Sequence, residues 1–284
     1  MLRCRPDDAT ATWRPRPLVE VAHVPVGSER RDVDIDRTGS VGTVDEDEQR
    51  AGRGGGDEPE TSFLRNHLAE MEKLPFDGVV FHVNDRQGEN ITWNLWGGKN
   101  YDRGQLQHAF DDLKTLKPKK LTELFVRVNV TPGKIDWFDD AAWQGVLQNM
   151  RVFAQLAKEG GCRGFMFDTE QYQGELFHYK KLPMRSFSDY DVQLRKRGKE
   201  WIQTINKEYP DITILLTFGD SYAYPRKEGE KTLAETEYGL LPAFLDGVLE
   251  GCTDRTKLVD AFESSYRYKT AEQFQKAYDA IHRK

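Results

Sequence analysis

Gly161-Cys162-Arg163-Gly164-Phe165-Met166-Phe167-Asp168-Thr169-Glu170-Gln171-Tyr172 is the stretch whose reading decides the fold. Arg163 to Phe167 reads as a short buried strand, entered through a Gly-Gly turn and ending abruptly in Asp-Thr-Glu. Side chains alternate faces along a strand, so Asp168 and Glu170 share one face with Gly164 and Met166. Two carboxylates at a strand end are costly to bury, and each disfavours ionisation of the other. Such an environment keeps one carboxylic acid protonated near neutral pH while its neighbour stays ionised. The structural alternative is a solvated strand end, or a pair held by an arginine.

Working outward, the same texture recurs on both sides. Asp77 to Asn84, Leu121 to Val130, Asp211 to Asp220 and Lys257 to Tyr266 read as further strands. Between and around them lie helical periods. These cover Glu60 to Leu74, Tyr101 to Leu116, Ala141 to Gly160, Asp189 to Tyr209, Leu240 to Leu249 and Ala271 to the end. Strands alternating with helices define an α/β fold with a parallel sheet. An open doubly wound nucleotide binder would carry a Gly-rich phosphate loop after an early strand. No such loop is present, since Gly54 to Gly56 follow no strand and Gly97-Gly98 fall in a loop. Polar residues instead mark the C-terminal ends of the strands, where barrel enzymes assemble their sites. The expected fold is therefore a (β/α)8 TIM-barrel-like domain over residues 57–284. It counts as incomplete, with the first strand and the last two units missing or degraded, because a full barrel takes about 250 residues.

Residues 1–56 have a different composition. Arg, Asp, Glu and Gly dominate, as in Asp45-Glu46-Asp47-Glu48 and the tract Arg50 to Gly56. The expectation is a disordered, low-complexity N-terminal extension. It has no apolar h-region, so no secretory signal is read there and localisation stays unknown. A net charge of -6 argues against a nucleic-acid partner held by charge, and no apolar run approaches a membrane span. The three cysteines have no metal-like spacing. The oligomeric state is not legible.

Asp168-Thr169-Glu170 at the end of what would be the fourth barrel strand resembles the (β/α)8 glycoside hydrolases, many of which carry their acid Glu at that position. The Asp-x-Glu form is also similar to chitinase-type and lysozyme-type barrels. The resemblance implies that Glu170 protonates the leaving oxygen. It implies a second carboxylate in Glu263, at the end of the sixth strand, or in Asp168 acting with a substrate acetamido group. The motif departs from the chitinase pattern, because Gly164, Phe165 and Met166 stand where further acids would be.

Candidate substrate-binding residues come from the neighbouring strand ends and loops. They are His82, Asn84, Arg127, Asn129, Trp137, Tyr172, Asp220 and Tyr222. Aromatic rings suit the apolar C–H faces of sugars, although most single Trp or Tyr residues simply fill space under loops. Arg127, on the adjacent strand, is read first as a structural partner of Asp168. The acids in Asp136-Trp137-Phe138-Asp139-Asp140 form either a site wall or a helix cap. The leading expectation is a glycoside hydrolase-like protein acting on carbohydrate, with no cofactor and no metal. One alternative is a metal-dependent sugar isomerase or lyase using His82, Asp168, Glu170, Asp220 and Glu263. The other is a non-catalytic, truncated carbohydrate-binding remnant.

Overall fold

A computed structural model describes residues 2–3, 58–130, 133, 135–172, 175–182, 184–224, 231–262, 265 and 267–282. The strands are β1 (Leu2–Arg3), β2 (Gly78–Phe81), β3 (Glu123–Asn129), β4 (Gly164–Asp168), β5 (Thr213–Leu216) and β6 (Lys257–Asp260). The α-helices are α1 (Thr61–Met71), α2 (Gln107–Thr115), α3 (Asp140–Glu159), α4 (Phe187–Glu208), α5 (Leu241–Gly251) and α6 (Ala271–His282). The disorder expected over residues 1–56 lies outside the described residues, apart from Leu2–Arg3.

Strands β2 to β6 pair in parallel and in strict chain order, and β1 adds two residues antiparallel to β6. A doubly wound sheet reverses strand order at a switch point. No reversal occurs here. Right-handed crossovers between successive neighbours put every connecting helix on the same side. The helices agree, since α1 packs on α2, α2 on α3, α3 on α4 and α4 on α5. The architecture is thus a five-strand parallel sheet, wound in one direction and covered by helices, consistent with a partial barrel-like fold.

The slot expected to lack its strand holds no strand among the described residues, only a single bridge to the sheet. Just before α1, the segment from Glu58 to Glu60 runs alongside β2. Glu60 bridges His82 in parallel, and the His82 N–H donates to the Pro59 carbonyl at 3.0 Å. In the sequence the Gly-rich tract Gly52 to Gly56 occupies the place of that strand, ahead of the first helix. Helix α1 begins directly from this segment, with the Glu60 carboxylate accepting from the Ser62 and Phe63 N–H groups. Helix α2 starts six residues later than its apolar period, because Asp102 and Gln105 close a turn on each other. Strand β6 ends at Asp260 rather than Tyr266.

The sheet face against the helices is apolar along β3, β4 and β5. Val126, Val128, Phe165, Phe167, Ile214 and Leu216 alternate onto it and are buried. Phe167 packs on Trp201 of α4 at 4.7 Å between ring centroids and on Phe244 of α5 at 6.3 Å. Burying one such side chain is worth roughly 1.5–3 kcal/mol. Gly164 opens β4 at φ 156°, and a Cβ there would lie 1.8 Å from the Thr213 carbonyl oxygen. Only glycine lets β4 enter this close to β5.

Candidate functional site

The opposite face carries the polar groups. The register sets Arg127 beside Met166, and Asn129 beside Asp168. His82 follows the Phe81–Val126 pair by one residue and so falls next to Arg127. Arg127 is the centre of the group. Its Nη2 pairs with Asp168 and its Nη1 with Glu58, while its Nε donates to Asn129 Oδ1 at 2.9 Å. The ion pair expected between Arg127 and Asp168 is therefore present, and Glu58 joins it from the first-strand slot.

Asp168 is only 1% exposed. Besides Arg127, its carboxylate accepts from Thr217 Oγ1 at 3.2 Å and from the Glu170 N–H at 3.0 Å. With these three bonds it acts as an anchor for the segment that follows. Thr169 is locked on the other side, its N–H donating to Thr217 Oγ1 and its hydroxyl to the Phe218 carbonyl. Gln171 is fixed as well. Its N–H donates to the Tyr238 hydroxyl, its side chain donates to the Glu237 carbonyl, and its Oε1 accepts from the Phe177 N–H. Half-buried Glu170 thus sits on backbone pinned before and after it, a condition for holding a reactive group in fixed geometry. Burial pushes the neighbouring Tyr238 phenol upward, with Glu170 among the charges adding to that shift.

Tyr172, two residues on, is 62% exposed, and its ring lies 6.3 Å from that of half-buried Trp93, at an interplanar angle of 53°. Burial is the main influence on two ionisable groups nearby. It lowers the His82 imidazole, with Glu60 opposing, and it raises the Glu58 carboxyl, against Arg127 and with Asp168 adding to the rise.

Several expected residues take other places. Trp137 is 1% exposed and cannot present a ring to a ligand. It belongs to the aromatic core with Trp96, Trp143, Phe177 and Phe244, and its indole N–H donates to the Leu176 carbonyl at 2.9 Å. The acids around it serve local structure. Asp139 caps α3 through the Ala141 and Ala142 N–H groups, and Asp136 accepts from the Phe138 N–H. Tyr222 has a ring face covered by Phe218, at 3.9 Å and 6°. Asp220 is exposed and opens a short 3-10 turn after β5. Asn84 bridges Asn90, and its carbonyl accepts from His108 Nε2 at 2.9 Å. It lines a cleft of about 550 Å³ with Glu60, Asp85, Arg86 and His108, and none of Arg127, Asp168 or Glu170 borders that cleft. Glu263 lies outside the described residues. The described acid on that strand, Asp260, pairs in register with buried Leu216 and so lies on the helix side.

Sequence reading missed Glu58. The available signal was its place just ahead of a helix, at the strand-to-helix junction where barrel sites form. Among the described residues no group of three His, Cys, Asp or Glu is arranged to hold a metal ion. No described helix is long and apolar enough to cross a membrane. No family model, curated protein or solved structure matches the chain.

Proposed function

We propose that this is a carbohydrate-active protein of glycoside hydrolase type, with Glu170 as the acid that protonates the glycosidic oxygen. In this reading the segment from Glu58 to Glu60 and strands β2 to β6 occupy six consecutive positions of a (β/α)8 barrel. What supports it is that Glu170 lies in the chain between the buried, ion-paired Asp168 and the exposed Tyr172, whose ring neighbours Trp93. Such an aromatic pair suits the apolar face of a sugar.

Asp168 is a positioning residue here, because Arg127, Thr217 and the Glu170 N–H already use its oxygens. The second carboxylate remains the one assigned from the sequence, Glu263. In such a pair one group protonates the leaving oxygen, and the other attacks the anomeric carbon or activates water. A separation of about 5–5.5 Å gives retention, and about 6.5–9.5 Å gives inversion. His82, Arg127 and Asn129 supply the polar wall.

The test is a panel of glycosides and oligosaccharides assayed with the full chain for both turnover and binding. Turnover that persists in chelator is expected. Loss of turnover in chelator favours the metal-dependent isomerase or lyase. Binding without turnover makes the chain a carbohydrate-binding protein. Neither binding nor turnover contradicts the proposal.

A further inference from the structure

We propose that Arg127 is the receptor for an acidic group on the ligand, a carboxylate such as that of a uronic acid, and that Glu58 is its displaceable internal substitute. The proposal rests on the carbohydrate reading for the sugar, but the anion site stands on the surroundings of Arg127 alone.

The two carboxylates on this guanidinium are not equivalent. Asp168 has a side chain 2% exposed, and two further donors, Thr217 and the Glu170 N–H, hold it. It is a fixed part of the sheet. Glu58 has a side chain 26% exposed, and among the described residues its carboxylate pairs only with Arg127. Its segment joins the sheet through a single bridge, at Glu60 and His82. Burial, and repulsion from Asp168, raise the Glu58 carboxyl despite its pairing with Arg127, so the folded state does not favour its ionised form.

A second observation marks the same spot. Asn129 is 1% exposed, and its amide is set against Arg127 by the Nε to Oδ1 hydrogen bond. Among the described residues its buried Nδ2 has no hydrogen-bond partner. Buried amide donors are nearly always paired, so one left over beside a guanidinium is a donor waiting for an oxygen. Arg127 and Asn129 Nδ2 offer a charge-assisted and a neutral donor to the oxygens of one acidic sugar, its carboxylate on the guanidinium and a hydroxyl on the amide. Glu58 occupies the first of these and leaves the second unused.

Displacement has a measurable consequence. If Glu58 covers Arg127 in about 90% of molecules, the apparent affinity for a competing carboxylate is reduced about tenfold. Removing Glu58 leaves Arg127 paired with Asp168, so the fold is preserved, and a thermal melt checks this.

The experiment titrates D-glucuronate, D-glucose and succinate calorimetrically into the full chain, into Glu58→Gln and Glu58→Ala, and into Arg127→Lys. Glucuronate should bind more tightly than glucose. Both Glu58 variants should tighten glucuronate about tenfold and leave glucose unchanged, and Arg127→Lys should remove the preference for the acid. Where the sugars bind, glucuronate no better than glucose, or unaffected by loss of Glu58, overturns the proposal. Succinate that binds and tightens in the Glu58 variants while neither sugar binds keeps the anion site and removes the carbohydrate reading. Glucose and glucuronate bound equally in every variant keeps the carbohydrate reading and removes this inference.

Discussion

The two faces of strand β4 divide the work of the molecule. Phe165 and Phe167 face the helices and are buried, and Phe167 locks into an aromatic cluster with Trp201, Trp96 and Phe244. Met166 and Asp168, on the alternate face, meet Arg127 and Asn129. One face is held chiefly by apolar area, which is non-directional. The other is held by a network in which each partner fixes the next, so losing one member strands another. The lesson is that the helix face sets whether the domain exists, and the polar face sets what its strand ends hold in place.

That division is breakable by mutation. The largest effect is expected from Phe167→Ala, which leaves a cavity between β4, α4 and α5 and should cost about 3–5 kcal/mol in denaturant unfolding. Met166→Ala, on the half-buried polar face, should cost clearly less, and equal losses would erase the contrast. Arg127→Met comes next. It leaves Asp168 buried without its counter-ion, and should cost about 3 kcal/mol, the low end for a broken buried pair because Thr217 and the Glu170 N–H remain. The same chemistry at the opposite end of the strands should matter little. Arg163 and Glu123 pair at 2.7 Å with both side chains exposed, so Arg163→Met should cost about 0.2–1 kcal/mol and less in high salt.

Glu58→Gln should have the smallest effect, opposite in sign. Burial raises the Glu58 carboxyl, so the folded state favours its protonated form. The resulting stability is complete below the ordinary Glu pKa of about 4.3 and is lost as pH rises through the folded value. The glutamine mimics the protonated form. The variant should therefore equal or exceed the parent near neutral pH, with the gap closing in acid. A variant less stable at neutral pH than the parent would mean that the Arg127–Glu58 pair stabilises the fold.

Much of the fold was legible because apolar period separates strands from helices. Five strands in chain order follow from that alternation, and the Arg127–Asp168 pair follows from two strands ending in register. Trp137 misled because an indole in a loop reads the same whether it faces solvent or core, and only its neighbours decide. Glu58 was hidden by Pro59 and the adjacent glycines, which mask a segment that joins the sheet through one bridge. Strand β6 was drawn six residues too long, since Ala261 and Phe262 extend its apolar pattern. The chain actually turns there, with Phe262 at a left-handed φ of 46° and its N–H donating to Asp260.

The central claim is that Glu170, held between Asp168 and Gln171, is the proton donor. The most direct measurement compares the full chain with Glu170→Gln on two glycosides of the same sugar, one with an alkyl leaving group and one with a nitrophenyl leaving group. The account predicts a fall of about 10²–10⁴-fold on the alkyl glycoside, a much smaller fall on the nitrophenyl one, and an unchanged thermal melt. Full retention of activity on the alkyl glycoside would contradict it.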